Sequence, residues 1–70
     1  MVSYKVVLER DQGLYTVSVP ALPGCMTQGR TRAEALERAK EAIHGYLESL
    51  QKEGAAFPPD VEVAEILVEV

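Results

Sequence analysis

Apolar and polar residues alternate twice within the first twenty positions. Tyr4, Val6 and Leu8 alternate with Lys5 and Glu9, and Tyr15, Val17 and Val19 alternate with Thr16 and Ser18. A two-residue period predicts strands with one buried face, Val7 being the one extra apolar residue. Between the runs, Asp11-Gln12-Gly13 has turn chemistry: Asp can bond its own backbone and Gly accepts a positive φ. The two runs therefore predict a β-hairpin. Placing both apolar triplets on one face pairs Leu8 with Val17 and Val6 with Val19, whereas a one-residue slip would carry Thr16 and Ser18 into the core. Pro20 cannot donate to a sheet ladder, so it ends or edges the second strand. Leu22-Pro23-Gly24-Cys25 fits a type II turn. Residues Cys25 to Gln28 then leave room for a short third strand.

The period changes to 3.6 after Thr31. Leu36, Ala39, Ile43, Tyr46, Leu47 and Leu50 recur at spacings of three and four, which makes one apolar helical stripe. Thr31-Arg32-Ala33-Glu34 is a capping box, and Gly54 is a natural stop, so the helix is expected from Arg32 to about Glu53. Glu34 with Arg38, and Glu48 with Lys52, form i,i+4 pairs on the wet side. Gly45 inside the helix costs ~1 kcal/mol relative to Ala, a cost explained if it lets the helix lie close to the sheet or to another helix.

Ala55 to Asp60, with Pro58-Pro59, reads as an extended connection, and Val61 to Val70 as a last strand. Its alternation shifts phase: Val61 and Val63 follow one register, and Ala64, Ile66, Val68 and Val70 the other. A bulge near Ala64 or covering of both faces accounts for this, and Leu67 opposite the second series favours partial covering by another subunit. The expected fold is α+β, in the order β-β-β-α-β, with one helix packed on one face of a small, mostly antiparallel sheet.

Seventy residues make one domain, 1–70. A chain this short buries only ~60% of its unfolded surface, and its single cysteine excludes an internal disulfide, which makes it a natural candidate for oligomerisation. The N-terminus lacks a signal peptide's basic segment and apolar core, so a cytoplasmic setting is expected, with no membrane contact. Net charge is −4. Beyond Lys52 there is no basic residue, whereas Glu53, Asp60, Glu62, Glu65 and Glu69 are all acidic. Nucleic-acid binders carry the opposite footprint. An acidic chain is better matched to a basic protein partner.

The hairpin Tyr15-Thr16-Val17-Ser18-Val19-Pro20, the turn Leu22-Pro23-Gly24-Cys25, then Gln28-Gly29, Thr31 and Glu34-Ala35-Leu36 resemble the HicB antitoxin family in order and spacing. The helix continues the resemblance with Ala39, Ala42 and Tyr46-Leu47. It spans roughly residues 4 to 50. It implies a partial ribonuclease-H-like fold without that fold's catalysis. It also implies a function: binding and neutralising a small, basic, RNA-cleaving HicA-type toxin. Many members carry a C-terminal DNA-binding domain. This sequence stops at Val70, so operator binding is not expected, and the alternative is an orphan oligomeric scaffold without a toxin.

Catalytic readings are weaker. A two-metal nuclease needs several acids converging on cations ~4 Å apart. Glu9, Glu41 or Glu48, and Asp60 or Glu62 could be nominated, but Glu9 lies next to a turn and the helical acids have solvent-face roles. Cys25 with His44 lacks an orienting third group, and one Cys with one His falls short of a metal site. No catalytic, cofactor or metal residue is expected. The expected partner-binding residues are Leu22 and Pro23, as an apolar knob on a rigid turn, and Glu62, Glu65 and Glu69, as an acidic surface. The expected partners are a HicA-like toxin and further copies of the chain, as a dimer or tetramer.

Overall fold

The structure is a computed structural model and describes residues 2–69. Three antiparallel strands in the order β1-β2-β3 precede one helix: β1 is Val7–Asp11, β2 Leu14–Ser18, β3 Met26–Gly29 and α1 Arg32–Lys52. The two-layer α+β architecture expected from the sequence is present.

The hairpin closes through Gln12 and Gly13, at φ 50° and 81°. Positive φ at both central residues is the type I′ geometry whose twist matches the flanking strands. The register is the expected one: Leu8 opposes Val17 and Glu9 opposes Thr16, and on the other side Val17 opposes Thr27. The ladder begins at the Val7–Ser18 pair, so Val6 lies just outside it. Pairing of Leu22 O with the Cys25 N–H at 2.9 Å, with Gly24 at φ 81°, gives the expected type II turn. Its ends are tied to β2 by the Val19 N–H, which donates to Cys25 O at 3.0 Å.

The helix is capped at both ends. Thr31 Oγ1 accepts from the Glu34 N–H at 3.0 Å. Glu34 reaches back past the cap to accept from the Arg30 N–H at 3.2 Å. At the far end Gly54, at φ 73°, donates to Gln51 O and Ala55 donates to Leu50 O, which is the Schellman arrangement. Val17, Val19, Leu22, Cys25, Ala35, Ala39 and Leu47 form the buried core between the layers.

The close approach of helix to sheet is made by Gly29 and not by Gly45. A Cβ on Gly29 would fall on the backbone of Ala35 in the first turn of the helix, whereas a Cβ on Gly45 would meet nothing within 4 Å. Gly45 is exposed, so its flexibility is uncompensated. Gly45→Ala is expected to stabilise the fold by ~1 kcal/mol and raise Tm by ~4–8 °C in a thermal melt; no change would show that another surface covers this turn.

The fifth element departs from expectation. Residues 61–69 form no strand, and Glu62 through Glu69 are exposed without interruption; Val70 lies outside the described residues. Val63, Ile66, Leu67 and Val68 are 76, 83, 92 and 74% exposed. The segment has strand periodicity, but within one chain it gains no ladder partner. The radius of gyration, 14.0 Å, exceeds the ~11 Å of a compact chain of this length, as a projecting tail requires.

Candidate protein-binding surface

The expected apolar knob is half absent. Leu22 is fully buried, part of the core cluster with Val19, Cys25 and Leu47, because the turn folds its side chain inward under α1. Only Pro23 stays exposed. The turn is therefore chiefly structural, and Leu22 is corrected from contact residue to core.

Glu62, Glu65 and Glu69 all stand in the exposed tail, interleaved with its apolar side chains. The tail starts from a fixed point. Lys5 Nζ lies 3.1 Å from Asp60 Oδ2 and also donates to Val61 O at 3.0 Å. The Lys5 N–H donates to Asp60 Oδ2, Val61 N–H donates to Asp60 Oδ1, and Tyr4 Oη donates to Pro58 O. Desolvation acts to raise the Asp60 pKa, but the hydrogen bonds from Lys5 and Val61 and the Lys5 charge outweigh it and hold the carboxyl below the ordinary carboxylate value. A depressed folded pKa means the anchor is intact at neutral pH and is lost as pH falls through that value. The amide resonances of Lys5 and Val61 should therefore titrate together with a midpoint below pH 3.8; independent or unshifted titration would mean the anchor is absent in solution.

Beside the anchor lies an open-sided apolar trough of about 590 Å³ between the segment before β1 and the helix. Val2, Tyr4 and Val6 line it from one side and Ala39, Ile43 and Leu47 from the helix, with Lys40 and His44 also among the lining residues. β1 is an edge strand, and the trough is lined by the residues that lead into it. The sheet's other face carries Val7, Leu14 and Met26, 44, 38 and 63% exposed, among Glu9, Thr16, Ser18 and Gln28. Sequence reasoning missed the trough, since its two walls come from segments far apart in the chain.

The residues weighed for catalysis stay apart. Val6 and Leu8 pack toward the core, so alternation turns Glu9 to the opposite face of the sheet, away from the acids of α1. Glu48 sits 3.8 Å from His44 and 3.6 Å from Lys52 on the exposed helix face. Cys25 is buried, and desolvation pushes its thiol above the ordinary value, which makes it unreactive packing. Among the described residues no group of three His, Cys, Asp or Glu could hold a metal ion, and no helix is long and apolar enough to cross a membrane.

The described residues thus offer an acidic tail with large apolar side chains, an apolar trough and a free strand edge. A UPF0150 protein of Thermoplasma acidophilum is 53% identical over 58 residues, covering 81% of this chain and 84% of its own. A UPF0150 protein of Helicobacter pylori is 45% identical over 51 residues, covering 73% and 71%. Antitoxin HicB 1 of Photorhabdus laumondii is 38% identical over 68 residues, covering 96% of this chain but 44% of the antitoxin. The model of the HicB-like antitoxin of bacterial toxin–antitoxin systems matches residues 4–69, and the chain belongs to that family.

Proposed function

We propose that this protein is an antitoxin that neutralises a small basic RNA-cleaving toxin of HicA type by covering the toxin's RNA-binding face. The observation that carries the reading is the tail: among residues 53–69 every charge is negative, and four large apolar side chains stand exposed between those charges. A surface that grips RNA is basic. An acidic partner competes for that face, and its field speeds the encounter. The exposed apolar side chains supply the contact area that charge alone lacks, because exposed ion pairs each contribute only ~0.2–1 kcal/mol. On this reading the protein works without chemistry of its own, in the cytoplasm where the toxin meets RNA, and as a homo-oligomer. Pro23 stands at the edge of the contact, while Glu62, Glu65 and Glu69 carry its charge.

The experiment is co-expression with the neighbouring reading frame, where that frame encodes a short basic protein with a lone His. A stable co-eluting complex supports the reading. Separate elution of two folded proteins contradicts it and favours a scaffold without a toxin.

A further inference from the structure

We infer that the tail, residues 62–69, is the missing fourth strand of a second copy. Each chain of a twofold dimer lays its tail along the free β1 edge of the other and fills the other's apolar trough. In such a dimer Ile66 and Val68 are buried against the copy, so the toxin contact of the proposed function is left to Val63, Glu65, Leu67 and Glu69 on the outer face of the tail.

Four observations converge on it. First, the tail has strand alternation and no partner: Ala64, Ile66 and Val68 share one face, and every residue from Glu62 to Glu69 is exposed. Second, the receiving site has the right form. The edge of β1 is unpaired, and beside it the trough presents Val2, Tyr4, Val6 and Ile43. Eight strand residues span ~26 Å against the ~17 Å of Val7–Asp11, so the tail overruns β1 toward residues 2–6, where the Lys5 N–H is already held by Asp60 of its own chain. Third, the parity suits the site: a strand that turns Ile66 and Val68 into the trough turns Glu62 toward the same side, and Lys40, 3.7 Å from Glu37 on its own helix, is among the lining residues. Fourth, the tail starts from a fixed point. Asp60 and Val61 are fixed to Lys5, and Pro58-Pro59 just before them stiffens the connection, since each proline fixes its own φ and holds the preceding residue extended.

A short stiff hinge ahead of an element that fits the chain's own edge is the arrangement that favours exchange between identical copies. Because the exchange is reciprocal, it closes at two chains and covers the β1 edge of each, one of the two edges at which each sheet otherwise invites association. It also explains the phase of the last segment. The even series faces the trough, while Glu65, Leu67 and Glu69 point to the outer face, where Leu67 extends the exposed row that includes Val7 and Met26.

The test combines sedimentation with disulfide trapping in the full-length chain, with Cys25→Ser to remove the native thiol. One preparation carries Ile66→Cys and another Ile43→Cys; the two are mixed, refolded together and oxidised. The expected result is a dimer in sedimentation and a bridge between the two different chains. Ile66→Asp, with its tail still attached and its helical circular dichroism unchanged, is expected to sediment as a single chain. A wild-type monomer overturns the inference, as does an Ile66→Asp protein that remains dimeric. So does a bridge within one chain when both substitutions are placed together, which would mean the tail folds on its own edge. A dimer bridged only between two chains that both carry Ile66→Cys also overturns it, by showing that the tails pair with each other.

Discussion

Gly29→Val is expected to unfold this protein or leave it barely folded. Gly29 is buried where β3 passes under the first turn of α1, and any Cβ there would occupy space held by the Ala35 backbone. A backbone obstruction cannot rotate away as a side chain can, so sheet and helix must separate or the strand must shift. Overpacking of a core costs ~1–3 kcal/mol, and the upper end applies where backbone is the obstacle. At ~0.05–0.15 kcal/mol per residue, a 70-residue chain has only ~3.5–10 kcal/mol to lose. Gly29→Val should therefore lower Tm by more than ~10 °C, and Gly29→Ala by less, in thermal melts at one fixed protein concentration. A Gly29→Val protein melting with the wild type would mean that helix and sheet do not approach as described.

Replacing Glu62, Glu65 and Glu69 together by Lys should weaken toxin binding about 100-fold at low salt. Each exposed pair contributes up to ~1 kcal/mol, and reversal replaces attraction with repulsion, so three sites amount to ~3 kcal/mol, where ~1.4 kcal/mol is tenfold. Association should slow more than dissociation quickens, as with rim charges generally. The difference from wild type should shrink as salt shortens the screening length from ~10 Å at 0.1 M to ~3 Å at 1 M. Titration calorimetry at several salt concentrations measures both effects. The acids are exposed, so the variant should fold. Equal affinity at all salt concentrations would rule out electrostatic masking and leave the apolar side chains as the whole contact.

The local elements were legible from sequence because each is fixed by neighbours in the chain. Asp11-Gln12-Gly13 sets a two-residue turn, which fixes the register of Leu8 with Val17, and Thr31 with Glu34 starts the helix that Gly54 ends. What was not legible depends on approach between distant parts. Gly29 and Gly45 look alike as letters, and only the packing of α1 on β3 separates them. Leu22 next to Pro23 looks like a surface turn until the turn is seen to fold its side chain under the helix. The last strand is visible as a pattern but is not an element of the single chain. Alternation reports which faces seek burial and does not name the chain that buries them.

The candidate surface was legible only in part for the same reason. The charge of Glu62, Glu65 and Glu69 is visible in the string, because an acidic run without a single base needs no fold to be recognised. The trough is not, because its walls come from residues 2–6 and from one face of α1, brought together by the sheet.

The most direct test of the account is titration of this protein into a HicA-type toxin while RNA cleavage is followed. Cleavage is expected to stop at a fixed stoichiometric ratio, with loss of RNA binding in step with loss of cleavage. Cleavage that continues unchanged with the antitoxin in excess would contradict it.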